Sequence, residues 1–442
     1  MKLSKYTFLF PAEEEHYIYN TLSNALLSID QDSYNILQKS RIEKSTVEEN
    51  DIDKELYAIL DEKRFITEDD KDEFLMYKSM IHLQRSSNKF MHLTIAPTMD
   101  CNFSCHYCFE KKEKKYITSE VIDSLIKYIG QQKDLYSIFL TWFGGEPLMA
   151  LDKIQEFYDK FQKVWKEKDF RSNIITTAYY ITPEIIETLK KVKIGSMQIT
   201  LDGNKETHNK IKQTKGCSDV FSKIINNIDL LTKFAPEIHI TIRINLTKEN
   251  ANEYIQLYKF LINRYKGKNI GIAPGFVRDS GRNKGDNSSL LLHRKECSEF
   301  ILALFNNHGT HSPFLHYPAR FFEECAIRNP TSTSIDPEGY VYKCWEVIGN
   351  KKYAIGKLDD GKITEVNATM LNRQLYGADT LDDKKCVQCS YLPVCNGGCP
   401  IYRIENEFEG AKNDVCCLYK GYLPDFLKAH LKLKKAGFTN NR

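Results

Sequence analysis

"HLTIAPTMDCNFSCHYCFE", residues 92–110, joins an apolar, β-branched run to a loop carrying Cys101, Cys105 and Cys108 at spacings of four and three. The run has strand composition and stops at Pro97. Three thiols therefore stand directly behind a strand. Three thiolates on one short loop can hold three irons of a [4Fe–4S] cube and leave the fourth open to an exogenous ligand. A three-cysteine zinc site completed by His106 is the competing reading, but His106 immediately follows Cys105 and chelates awkwardly.

Working outward, the pattern alternates from residue 91 to about 276. Strand-like runs recur at "HLTIAPT", "SIFLTWFGG", "NIITTAY", "SMQITLD", "IHITIRINL" and "NIGIAPGF". Amphipathic stretches fall between them: "EVIDSLIKYIGQQ", "IQEFYDKFQKVW", "PEIIETLKKV", "VFSKIINNIDLL" and "NEYIQLYKFLINRY". Six strand–helix repeats of roughly thirty residues predict an α/β fold, a parallel sheet with helical crossovers forming a partial or closed barrel. Ligands of such sheets sit at the carboxyl ends of the strands, which is where the three-cysteine loop lies.

The chain is 442 residues long, so two or three domains are expected. Hydrophobic residues at 42% and charged residues at 27% describe an ordinary globular protein. A net charge of +3 makes no case for a nucleic-acid partner. The apolar run at the N-terminus is broken by Pro11 and three glutamates, and no stretch is long enough for a membrane helix, so a cytoplasmic location is expected. Thirteen cysteines in a reducing compartment point to metal or catalysis rather than disulfides. Cys217 and Cys297 stand alone and are expected to be buried small hydrophobes. The other eleven fall into 101/105/108, 325/344, and 386/389/395/399 with 416/417.

Residues 1–85 mix extended runs ("YTFLF", "HYIYN") with a helical pattern, "DKELYAILDEKRFI", and predict a small α+β module. "IHLQRSSNKF" reads as a polar linker to the barrel at 91–276. A bridging region at 277–320, a cysteine-rich domain at 321–425 held largely by metal, and a tail at 426–442 complete the expected organisation.

The motif Cys101-x3-Cys105-x2-Cys108, with Tyr107 before the last cysteine, resembles the signature of the radical S-adenosylmethionine (SAM) superfamily. "TWFGGEPL" at 141–148 is similar to that family's GGEP motif. The resemblance implies that the open iron chelates S-adenosylmethionine, whose one-electron cleavage yields a hydrogen-abstracting 5′-deoxyadenosyl radical. It implies cofactor contacts from Tyr107, Gly144, Gly145 and Glu146, the last accepting from the ammonium group. "QITLDGNKETHNKIK" resembles the family's fourth-strand segment, with Thr200 as a ribose partner and Lys212 where relatives carry an arginine against the cofactor carboxylate. "ITTAYY" departs from the family's T-N-G, which leaves Thr177 and Ala178 with no role beyond lining a cavity, and His208 is expected at the surface.

Cys325-x13-Gly339-x4-Cys344, then Cys386-x2-Cys389-x5-Cys395-x3-Cys399, then Cys416 resemble the SPASM domain of radical enzymes that modify peptides. Two zinc ribbons are the alternative. The resemblance implies two auxiliary [4Fe–4S] clusters, three in all. Cys325, Cys344 and Cys399 would ligate the inner one, which is left short of one ligand. Cys386, Cys389, Cys395 and Cys416 would ligate the outer one, with Cys417 competing for the last place. The function implied is maturation of a ribosomally made precursor peptide by a thioether or carbon–carbon crosslink. The module at 1–85 is then a winged-helix-like leader-peptide binder. An electron donor such as flavodoxin or ferredoxin is the further partner. The alternative is anaerobic sulfatase maturation, in which relatives place an aspartate base directly after the cysteine matching Cys344. Trp345 stands there in this chain, followed by Glu346. An iron–sulfur electron carrier is the non-enzymatic alternative, and an open iron with a cofactor motif argues against it.

Overall fold

The computed structural model describes residues 1–166, 168–278, 288–310, 315, 317, 318 and 325–437. They form two compact units. One is built from residues 1–86, 294–325 and 376–442, the other from 87–293 and 326–375.

The first unit begins with β1 (Lys2–Leu3), then a three-stranded antiparallel meander of β2 (Thr7–Ala12), β3 (Glu15–Asn20) and β4 (Ala25–Ile29). Helices α1 (Gln31–Glu43) and α2 (Lys54–Glu62), short β5 (Ile66–Thr67) and α3 (Asp70–Arg85) follow. Aspartates 30, 53 and 69 cap the three helices by accepting from backbone N–H groups in each first turn. Ile18, Leu37, Leu60 and Phe65 fill a local core. The predicted α+β composition is present. The segment read as a linker is helix as far as Arg85, because Ile81 is needed in a second core.

That second core joins the N-terminal segment to the cysteine-rich one. Tyr6, Leu22, Tyr77 and Ile81 pack with Leu381 and Leu392. Around it Tyr77 donates to Asn396 at 2.8 Å, Thr21 to the Ser390 carbonyl at 2.7 Å, and Arg85 forms a two-pronged pair with Asp379. Residues 1–86 and 376–437 thus share apolar surface that neither can bury alone.

The second unit holds the parallel strands β6 (Phe90–Ile95), β7 (Ser137–Trp142), β8 (Asp169–Thr176), β9 (Ser196–Leu201), β10 (His239–Leu246) and β11 (Ile270–Phe276). Crossover helices are α4 (Ser119–Gln131), α5 (Leu151–Val164), α6 (Pro183–Lys191), α7 (Lys205–Ile211) with α8 (Val220–Phe234), and α9 (Tyr254–Arg264). All six predicted strands are present, in sequential order. β6 and β11 do not pair with each other, so the barrel is the partial one.

Instead β6 takes a neighbour from far along the chain. β12 (Thr333–Ile335) pairs parallel to it, and β13 (Tyr340–Tyr342), β14 (Gly356–Asp359) and β15 (Lys362–Thr364) continue antiparallel to a ten-stranded sheet. This extension was not anticipated. Along β9 and β10 every second residue is buried (Met197, Ile199, Leu201; Ile240, Ile242, Ile244, Leu246). The opposite face carries half-buried Gln198, Thr200, Arg243 and Asn245. A parallel strand covered on both faces reads as continuously apolar. The polar row departs from that pattern and marks the inner face of the sheet.

Candidate functional site

The cysteine loop leaves β6 and is held by the turn that follows β7. Gly145 N–H donates to the Thr98 carbonyl at 3.1 Å and Glu146 N–H to the Asp100 carbonyl at 2.9 Å. A Cβ on Gly145 would stand 2.1 Å from Asp100 O, and one on Gly144, whose φ is +96°, 2.4 Å from Thr98 O. The two glycines are required because two backbones touch here. Asp100 then accepts from the Cys101 N–H at 2.9 Å and from Tyr116 at 3.1 Å, and Cys108 N–H donates to the Cys105 carbonyl at 3.1 Å.

Glu146 is fully buried, and its carboxylate is already engaged. It accepts from Thr176 Oγ1 and Thr177 Oγ1, both at 2.5 Å, from Thr177 N–H at 2.8 Å and from Leu148 N–H at 3.1 Å. These four donors make it the tie between the end of β8 and the cysteine loop. Thr177, left without a role by the sequence reading, supplies two of them. Ala178 stands where the resemblance expects glycine, and it adopts a positive φ of +59°, a conformation that glycine takes most easily. Asn227 Nδ2 secures it by donating to the carbonyls of Ala178 and Tyr179.

A second network lies on the other side of the loop. Lys212, 4% exposed, places Nζ 3.2 Å from Asp202 and 3.5 Å from Cys105 Sγ. Tyr107 donates to Asp202, and Asn245 Nδ2 donates to the Tyr107 hydroxyl at 3.0 Å and to Asp202 at 3.3 Å. His208 is fully buried rather than on the surface, and its Nδ1 accepts the Asp202 N–H at 3.2 Å. Burial pushes the His208 pKa down to about 4, so the ring is neutral. Burial opposes charge on Lys212 most strongly, yet Asp202, Tyr107 and Cys105 together outweigh it and hold the ammonium protonated. Thr200 sits half-buried on the inner face beside this network.

No disulfide joins any of the thirteen cysteines. Burial pushes the Cys101 thiol up to about 12, and desolvation of the sulfur with the charge of Glu110 raises that of Cys108 likewise, although the residue as a whole is exposed. Such thiols become thiolates only when a strong positive charge arrives, and an iron–sulfur cluster supplies one. Among the described residues no three His, Cys, Asp or Glu side chains close around a single ion. Three soft thiol donors on one loop are the donor set that an iron–sulfur cluster takes.

The auxiliary cysteines divide between the units. Cys344 belongs to the barrel unit, where Trp345 stacks on Phe143 at 5.4 Å and Glu346 lies 3.6 Å from Arg278. Cys325, Cys386, Cys389, Cys395, Cys399, Cys416 and Cys417 belong to the other. There Cys389 N–H donates to the Cys386 carbonyl at 2.9 Å, and Cys395 and Cys417 share a thiol hydrogen bond that favours the Cys395 thiolate. Two cations that the sequence reading missed serve this group. Arg403 reaches Cys386 Sγ at 3.5 Å while pairing with Asp383 at 2.6 Å, and Lys420 reaches Cys416 Sγ at 3.1 Å. Of the two solitary cysteines, Cys297 is buried as expected and Cys217 only half-buried.

Residues 95–261 match the Radical SAM superfamily, so this part of the chain is a radical SAM domain. The cysteine-type anaerobic sulfatase-maturating enzyme of Clostridium novyi (strain NT) is 23% identical over 358 residues, covering 74% of this chain and 93% of that one. Two solved structures share the fold. Native anSMEcpe with bound AdoMet matches with a TM-score of 0.60 at 19% identity, over 78% of this chain and 98% of its own. Streptococcus suis SuiB bound to S-adenosylmethionine matches with a TM-score of 0.52 at 16% identity, over 94% of this chain and 100% of its own. Beyond residues 95–261 the chain is similar, over most of its length, to maturases of that superfamily. Among its described residues no helix is long and apolar enough to cross a membrane.

Proposed function

We propose that this protein is a radical SAM peptide maturase that installs a thioether or carbon–carbon crosslink in a precursor peptide. The observation that carries the reading is the residue after Cys344. Trp345 stands there with its ring on Phe143, and the neighbouring carboxylate, Glu346, is taken up by Arg278. The free acid that sulfatase maturation needs at this position is missing from it. Fold coverage of 94% against SuiB necessarily takes in most of the N-terminal 86 residues, which supports a module for peptide recognition.

When bound, the open-site cluster and S-adenosylmethionine supply one-electron cleavage and a hydrogen-abstracting radical. Cys101, Cys105 and Cys108 would hold that cluster, Gly144, Gly145 and Glu146 fix the loop in place, and Thr200 presents a hydroxyl to the ligand face. Cys325, Cys344 and Cys399, and Cys386, Cys389, Cys395 and Cys416 with Cys417 competing, would hold two further [4Fe–4S] clusters, whose chemistry would be one-electron transfer. A flavodoxin or ferredoxin would supply the electron for S-adenosylmethionine cleavage. Sulfatase maturation remains the second reading, favoured by the C. novyi relative.

The test is anaerobic turnover with candidate peptides read by mass spectrometry. Crosslinking removes two hydrogens and keeps sulfur, whereas formylglycine formation from cysteine removes the sulfur and adds oxygen. Sulfur loss would overturn the crosslinking assignment. Replacing Cys101, Cys105 and Cys108 with alanine should remove about four irons and all deoxyadenosine formation. Deoxyadenosine release by that triple variant would end the radical reading itself.

A further inference from the structure

One group on the inner face of the sheet touches the networks above only through Asn245. Arg243 lies on β10, in register with Thr200 of β9 and Ala273 of β11. Its side chain runs flat across Gly275 of β11, where a Cβ would stand 2.2 Å from Nε and 2.8 Å from Cζ. Nε donates to Asn245 Oδ1 at 3.1 Å, and Asn245 binds Tyr107 and Asp202, so the guanidinium is tied to the cysteine loop. Among the described residues its terminal nitrogens have no hydrogen-bond partner and no carboxylate lies within ion-pair distance. Arg278, just past β11, brings a second guanidinium, which pairs with Glu346. Burial and the charge of Arg278 push the Arg243 pKa below its ordinary value.

A guanidinium fork with unshared donors, and a glycine cleared beneath it, suits a carboxylate held by two parallel hydrogen bonds. The place is the carboxyl end of the strands, where ligands of such sheets bind. Lys212, the cation expected against a cofactor carboxylate, is already committed to Asp202 and Cys105. We propose that Arg243, seated on Gly275 and oriented by Asn245, binds the carboxylate of a ligand inside the barrel, with Arg278 adding positive charge. That carboxylate comes either from the methionyl end of S-adenosylmethionine or from an acidic side chain of the peptide. The inference rests on the barrel being the ligand site.

The experiment uses the full-length, anaerobically reconstituted protein as wild type, Arg243→Gln and Gly275→Ala. The second variant keeps the charge but displaces the fork. Four probes are titrated: S-adenosylmethionine, its decarboxylated analogue, and the capped tripeptides Ala-Glu-Ala and Ala-Gln-Ala. Both variants should weaken one carboxylate probe roughly 30- to 100-fold while its carboxylate-free counterpart binds all three proteins alike. Dependence in the first pair assigns the cofactor, and dependence in the second pair assigns the peptide. Equal affinity of every probe for all three proteins overturns the proposal. If wild type binds no S-adenosylmethionine, the radical reading fails instead, and the tripeptide pair alone decides the role of Arg243.

Discussion

The ammonium of Lys212 lies 3.5 Å from the thiol sulfur of Cys105, although the two are 107 residues apart in the chain. The same ammonium is the cation for buried Asp202, 3.2 Å away. Lys212→Met therefore strands a carboxylate in the interior, and we expect a loss of about 3–5 kcal/mol in urea unfolding of the apoprotein. Lys212→Arg keeps the charge and should lose far less. In the reconstituted protein the Met variant should also shift the cluster's midpoint potential downward, since a positive donor to a thiolate favours the reduced cluster. Unaltered stability and potential would detach Lys212 from the network.

His208 makes stability depend on acid. Its pKa in the fold is about 4, against an ordinary 6.5, so the unfolded chain binds a proton that the folded one refuses. Its contribution is therefore intact above pH 6.5 and declines as pH falls from 6.5 toward 4, by about 3 kcal/mol over that window. His208→Asn keeps an acceptor for the Asp202 N–H and removes the titration. Unfolding free energies of the two proteins between pH 7 and pH 4 should converge on acidification, and parallel curves would refute the assignment.

Gly145→Ala tests the seam between the GGEP turn and the cysteine loop. The new methyl meets Asp100 O at 2.1 Å, and backbone on both sides must move. We expect reconstituted protein to lose most of about four irons while the auxiliary set keeps its own. Full iron content would show that the loop tolerates the displacement.

Truncation of residues 1–86 should not be a clean removal of a peptide-binding module. The cut uncovers Leu381 and Leu392 and leaves Asp379, 7% exposed, without Arg85. Breaking that ion pair alone, as in Arg85→Ala, should cost about 3–5 kcal/mol. The truncated chain should aggregate or reconstitute with about four irons fewer, read by iron analysis and size exclusion. A soluble truncation with full iron would make the N-terminal segment independent.

The strand–helix repeats and the cysteine loop were legible because they are local. Alternation at a period of two or near four follows from backbone geometry, and six such runs in a row leave little choice of fold. β12 to β15 escaped notice although Asp360 and Gly361, both at positive φ, form the kind of turn that marks a hairpin. Strands of three or four residues are too short to display a period, and β12 is selected by the open edge of β6 rather than by its own composition.

The sequence by itself determined the class of this protein: a partial parallel barrel with three thiols behind its first strand and a second cysteine-rich region downstream. Those features rest on spacing along the chain, which the backbone converts directly into periodicity and chelate geometry. Only the tertiary structure decided that Glu146 is bound by Thr176 and Thr177, that His208 is buried, and that residues 1–86 share a core with residues 376–437. Each of these is a contact between distant segments. A buried charge takes whichever donor the packing brings near it, and that choice is made by the fold as a whole.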